Sequence, residues 1–122
     1  MNPLILIVED LEELRLLALL TLAPLGRVDC AADTAGALEL IARERPDVIV
    51  LDIVLGPGDN GLDLCRALKD APATHGIRIV LLSARAQQAD IDAGLASGAD
   101  RYLIKPFSPD HLFATVSELL SR

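Results

Sequence analysis

The 122-residue sequence predicts an α/β fold in one domain: a doubly wound, five-stranded parallel sheet with five helices. Five short aliphatic runs alternate with five stretches of helical spacing. The longer runs are continuously apolar, as in strands covered on both faces. Aromatic residues are scarce, one Tyr, two Phe and no Trp, so Leu, Ile, Val and Ala must build the core. One helix layer cannot cover both faces of a sheet, and right-handed crossovers are expected to place helices on each. A chain of this length buries roughly two-thirds of its unfolded surface, enough for one core without metal or disulfide staples.

In chain order, "LILIV" (4–8) reads as the first strand and residues 11–23 as the first helix. Asp10 followed by Glu13 fits an N-cap with its reciprocal acid at the start of that helix. "VDCAA" (28–32) is a shorter strand, followed by helical spacing over 34–44. Like the first strand, "DVIVLDIVL" (47–55) and "IRIVLLS" (77–83) read as strands covered on both faces, each followed by a helix, over 61–70 and 87–97. "DRYLI" (100–104) closes the sheet, and the last helix (109–121) opens with Ser108 as cap and Pro109 at its first position. No internal repeat, low-complexity segment or linker interrupts this rhythm.

A net charge of −7 and the lack of clustered Lys and Arg argue against direct nucleic-acid binding. Cys30 and Cys65 have no metal-like spacing and are expected to be buried free thiols in a reducing compartment. The apolar run at the N-terminus is too short for a signal peptide or a membrane span. A cytoplasmic protein without membrane association is the expectation.

In a doubly wound sheet, ligands gather outside the carboxyl ends of the strands. There the sequence places Glu9 and Asp10 after the first strand, Asp52 after the third, Ser83 after the fourth and Lys105 after the fifth. Each alone has an ordinary explanation as a cap, a turn residue or a solvated lysine. Together their chemistry is complementary. Three carboxylates brought together repel unless a cation is held between them, and an oxygen-only site with few protein ligands suits Mg²⁺. An ammonium and a hydroxyl facing the same point would recognise an arriving phosphoryl group, with the middle carboxylate as nucleophile.

With these motifs the chain resembles the receiver domain of two-component response regulators, a flavodoxin-like fold, across essentially all of residues 1–122. The resemblance is carried by "LIVED", "VIVLDIVL", "NGLDL", "IVLLSA" and "GADRYLIKPF" in combination. It implies that Asp52 accepts phosphate from a histidine kinase or histidine phosphotransfer protein. Glu9 and Asp10 are similar to the Mg²⁺-binding acids, with Asp52 and the backbone carbonyl of Val54 completing the protein ligands. Ser83 resembles the switch hydroxyl, Tyr102 the switch aromatic and Lys105 the lysine that contacts the phosphoryl group. Lys105-Pro106 resembles a cis peptide. The resemblance implies a protein that catalyses only its own phosphorylation and dephosphorylation and then binds a downstream protein target or effector domain.

Two departures stand out. Glu9 occupies a position where aspartate is more frequent, so its longer side chain points to metal contact through water or at a shifted ion position. The loop "GPGDNG" (56–61) is one residue longer than usual. Two competing readings are a receiver-like interaction module independent of phosphorylation and a phosphatase-like hydrolase with an aspartate nucleophile. The first would be expected to lack one of Asp52, Lys105 or the acid pair. The second usually carries another acid where this chain has Val54. Finally, the first helix is apolar nearly all round, and Leu16 and Leu20 are expected at its surface, suited to a partner's helical bundle or to a homodimer.

Overall fold

The computed structural model describes residues 2–122 and contains one parallel sheet in the order β2-β1-β3-β4-β5. The strands are β1 (Leu4–Val8), β2 (Arg27–Ala31), β3 (Val48–Asp52), β4 (Arg78–Ser83) and β5 (Arg101–Ile104). The helices are α1 (Glu12–Leu22), α2 (Thr34–Arg43), α3 (Gly61–Asp70), α4 (Gln88–Ala96) and α5 (Pro109–Leu120), with a single 3-10 turn over Ala23–Leu25. All five strands and all five helices expected from the sequence are present. The order reverses between β1 and β3, which is the switch point of a doubly wound sheet.

The period of two along the strands sorts side chains into two aliphatic layers. Ile5, Ile7, Val48, Val50, Val80 and Leu82 point to the face covered by Ala18 and Leu22 of α1 and Leu112, Val116 and Leu119 of α5. Leu6, Val8, Ile49, Leu51, Ile79 and Leu81 point to the other, against Ala37 and Ile41 of α2 and Leu64, Cys65 and Leu68 of α3. Burial on both faces explains why the central strands read as unbroken apolar runs.

The helix starts divide into capped and uncapped. Asp33 accepts from Gly36 N–H (2.7 Å), Asn60 from Leu62 N–H (2.8 Å) and Ser108 from His111 N–H (3.3 Å). The cap expected from Asp10 and Glu13 does not form: the N-cap of α1 is Leu11, with no side-chain hydrogen bond. Arg15 reaches back instead, its guanidinium donating to the Glu9 carbonyl at 2.9 Å. Asp10 is thereby left available at the sheet edge.

The third strand is shorter than its apolar run. The ladder ends at Asp52, and only an isolated bridge pairs Val54 with Asn60. Gly61 closes this turn, its N–H donating to the Ile53 carbonyl at 2.7 Å. A Cβ on Gly61 would lie 2.1 Å from the Asp52 carbonyl oxygen, so only glycine permits so close an approach.

Cys65 is buried as expected, whereas Cys30 is only half-buried; both are free. On α1, Leu16 and Leu20 are 54% and 62% exposed, as the sequence suggested, and Leu11 is exposed beside them. Leu14 instead packs partly against the core. Among the described residues, no helix is long and apolar enough to cross a membrane.

Gly61→Ala is expected to destabilise the fold by about 1–3 kcal/mol, because the clash is with backbone rather than a yielding side chain. Urea unfolding measures this; a variant as stable as the parent would show that the turn relaxes freely.

Candidate functional site

Register brings the expected residues to one edge. Val8 lies beside Leu51, Asp52 beside Leu82, and Ser83 beside Ile104, so β1, β3, β4 and β5 end at nearly one level. Two backbone bonds extend this order past the strands: Glu9 N–H donates to the Ala31 carbonyl at 3.0 Å, and Lys105 N–H to the Ser83 carbonyl at 2.8 Å. The Lys105-Pro106 bond is cis, in agreement with the resemblance, and Phe107 is buried in the α1/α5 layer just beyond it.

The Lys105 ammonium donates to Glu9 Oε1 and to Asp52 Oδ2, both at 2.8 Å. Glu9 and Asp52 are buried, and Lys105 is nearly so in its side chain, so these pairs sit away from solvent. The remaining carboxylate oxygens also have partners. Glu9 Oε2 accepts from Leu11 N–H at 3.3 Å, and Asp52 Oδ1 from Val54 N–H at 3.2 Å. Asp10 stands exposed at the rim, and one oxygen each from Glu9, Asp10 and Asp52 lies within 4.8 Å of the others.

One ammonium is insufficient for three acids. Burial, reinforced by the neighbouring Asp52 carboxylate, pushes Glu9 up to about 7 despite the contact with Lys105. Lys105 is raised above its ordinary value: burial opposes its charge, but hydrogen bonds to Asp52 and Glu9 outweigh that cost. The site therefore has a deficit of positive charge. The Val54 carbonyl accepts no hydrogen bond from the described residues. Clustered carboxylates and a free carbonyl form an oxygen-only donor set that fits a hard divalent cation.

A pocket of about 320 Å³ opens over this cluster, lined by Asp10, Leu11, Asp52, Val54, Ser83, Ala84, Arg85 and Lys105. Ser83 is buried, and its Oγ accepts from Arg85 N–H at 3.0 Å. Tyr102 does not line the pocket. Its hydroxyl donates to the Arg85 carbonyl at 2.8 Å, and its ring lies against Gly94 of α4. Arg85 therefore links the two residues through its own backbone N–H and carbonyl. Sequence reasoning did not single out Arg15 as the residue that holds the acid-bearing turn, because a lone arginine on a helix carries no such signal.

The family model "Response regulator receiver domain" matches residues 5–117. "Response regulator PleD" of Caulobacter vibrioides is 42% identical over 98% of this chain and 26% of its own length. "Phosphate regulon transcriptional regulatory protein PhoB" of Rhizobium meliloti is 39% identical over all of this chain and 54% of its own. The chain thus spans about a quarter to a half of these relatives. The crystal structure of response regulator DrrB of Thermotoga maritima superposes with a TM-score of 0.91 at 30% identity, covering all of this chain and 54% of that one. Match, sheet order and polar edge agree, and this chain belongs to the response regulator receiver family, signalling modules that switch on phosphorylation in two-component phosphorelays.

Proposed function

We propose that this receiver takes a phosphoryl group on Asp52 from the phosphohistidine of a histidine kinase or phosphotransfer protein, in a Mg²⁺-dependent reaction. The observation that carries this reading is the double contact of Lys105 with Glu9 and Asp52 on the floor of a pocket that also holds Ser83. An Asp52 carboxylate oxygen forms the new P–O bond as the donor's P–N bond breaks, its electron pair leaving on the imidazole nitrogen. Lys105 neutralises charge on the arriving group and holds Asp52 in place. Asp10, Asp52 and the Val54 carbonyl, with Glu9 directly or through water, would hold Mg²⁺, which when bound supplies positive charge to the phosphoryl oxygens.

Ser83 Oγ accepts a hydrogen bond from Arg85 and donates none to the described residues, which leaves its proton for a phosphoryl oxygen. Drawing Ser83 inward pulls on the Arg85 backbone, and Arg85 is also the acceptor of Tyr102. Phosphorylation thus shifts the balance between two positions of Tyr102 and changes the face of α4, β5 and α5 that meets a downstream protein or effector domain. The domain catalyses only its own phosphorylation and dephosphorylation. It works in the cytoplasm without contacting nucleic acid. The exposed leucines that run from Leu11 at the pocket through Leu16 to Leu20 along α1 form the docking face for the helical bundle of the phosphodonor. All of Asp52, Lys105 and the acid pair are present, which disfavours a phosphorylation-independent module.

Asp52→Asn is expected to abolish phosphorylation by a small phosphodonor with Mg²⁺ while retaining the fold, because an amide is nearly isosteric but not a comparable nucleophile. Intact mass reads this directly; an equal mass gain in the variant would move the acceptor elsewhere.

The Glu9 shift sets a pH dependence. Its folded value of about 7 lies above the ordinary 4.5, so the folded chain holds this proton more tightly than the unfolded one. Its contribution to stability is therefore largest below 4.5, declines as pH rises towards 7 and levels off above. Without metal, Glu9→Gln should be more stable than the parent by roughly 1–3 kcal/mol at about pH 8, with little difference at about pH 5. Mg²⁺ should raise the melting temperature of the parent much more at the higher pH. Equal stabilisation by Mg²⁺ at both would remove Glu9 from the metal site.

Changing Leu16 and Leu20 together to Glu should slow transfer from the cognate phosphodonor by about tenfold or more and leave thermal stability and phosphorylation by a small donor unchanged. Unaltered transfer would exclude α1 as the docking face.

A further inference from the structure

The loop from β3 to α3 is held at two points. On its outgoing side, Leu55 is buried in the α2/α3 layer. The chain then reverses through Gly56 and Gly58, both at positive φ, and Asp59 N–H donates back to the Gly56 carbonyl at 3.1 Å. On the returning side no apolar residue enters the core before α3. The Asp59 side chain instead leaves the loop and meets the first residue of α2: Oδ2 accepts from Thr34 N–H at 2.9 Å, and Oδ1 accepts from the Thr34 hydroxyl. Both carboxylate oxygens are satisfied at a helix N-terminus, where negative charge is favoured.

Val54 faces Asn60 between these two anchors. Leu55 N–H donates to the Asp59 carbonyl at 3.2 Å, and Gly61 N–H to the Ile53 carbonyl at 2.7 Å, so the two sides of the loop are laced on either side of Val54. Elsewhere the loop borders a pocket of about 410 Å³, and packing does not hold it there. The orientation of the Val54 carbonyl therefore depends on where Asp59 holds the returning strand.

We propose that Asp59, clipped to Thr34 at the N-terminus of α2, is a positioning residue that sets the Val54 carbonyl for the divalent cation and couples metal affinity to α2. The inference rests on the reading of the metal site given above. Asp59 touches neither the cation nor the phosphoryl group; it acts by denying the loop other arrangements, as outer partners of metal ligands commonly do.

Mg²⁺ binding by isothermal titration of the unphosphorylated full chain tests it. Asp59→Ala should weaken Mg²⁺ by about tenfold, a size usual for removal of a ligand's supporting partner. Thr34→Val keeps the backbone donor and loses only the hydroxyl, so its effect should be smaller, roughly threefold. Asp59→Asn keeps an acceptor for Thr34 without the charge and should bind almost as the parent does. Metal-free amide exchange should quicken at Val54–Asn60 in Asp59→Ala and not in Asp59→Asn. If Asp59→Asn loses as much affinity as Asp59→Ala, its charge acts directly and the positioning role is wrong. Parent binding with unchanged affinity in Asp59→Ala and Thr34→Val overturns this inference and leaves the metal site standing. A parent chain that binds no Mg²⁺ overturns the site and the inference together.

Discussion

The structure depends on placing one ammonium, that of Lys105, between the buried carboxylates of Glu9 and Asp52. Burying two acids without a cation would cost several kcal/mol for each charge, more than a small domain can spare. The lysine is brought there from the far end of the chain, 96 residues from Glu9 and 53 from Asp52, so only the completed sheet assembles the cluster. The three inner strands therefore have two tasks: β1, β3 and β4 bury aliphatic side chains on both faces, and their carboxyl ends deliver polar groups to the edge that Lys105 reaches from β5. The aliphatic layers supply the rigidity that lets unlike charges be held at hydrogen-bond distance rather than screened by water.

The compensation is incomplete, and that is what makes the site chemically useful. With Lys105 already shared between Glu9 and Asp52, Asp10 adds a further acid within reach of both. The remaining deficit appears as the proton that Glu9 retains up to about 7. A fully neutralised cluster would gain little from a divalent cation. This one would gain from it, because bound positive charge would relieve repulsion that the fold alone leaves in place and would prepare the site for an anionic phosphoryl group. The local stability lost at the sheet edge is offset by the two aliphatic layers behind it.

Much of this was legible in the sequence, for physical reasons that can be traced to particular residues. Double-sided burial makes "LILIV" and "IRIVLLS" continuous apolar runs, and topology then fixes which residues follow each strand. Glu9, Asp10, Asp52, Ser83 and Lys105 could be grouped before any coordinate because strand ends in a parallel sheet share one edge. What was misread depended on competition between interactions at the same place. Asp10 and Glu13 have the spacing of a capping box, yet the turn is held by Arg15 on the Glu9 carbonyl, and α1 starts uncapped. The apolar run through Leu55 outlasts the β3 ladder because Ile53 and Leu55 remain buried in the α2/α3 layer after strand pairing has ended. The tie between Thr34 and Asp59 spans 25 residues and joins two loop ends, and no periodicity records such a contact.

In the proposed mechanism the switch and the metal site share Asp52 but draw on opposite sides of it. On one side lie Ser83, Arg85 and Tyr102, linked through hydrogen bonds to the backbone of a single residue. Such a link transmits a displacement of a few tenths of an ångström, because hydrogen bonds weaken steeply when stretched or bent. On the other side lie Val54, Asn60 and Asp59, laced across a loop whose glycines would otherwise allow many conformations. The first arrangement has to move and the second has to stay still. Their composition follows that division: the moving side couples through one extended connection beside exposed residues of α4, whereas the still side combines a buried leucine, a cross-loop bridge and a carboxylate with both oxygens engaged. In the proposed mechanism, a charge added at Asp52 would then be converted into a change of surface at Tyr102 without loosening the metal ligands beside it.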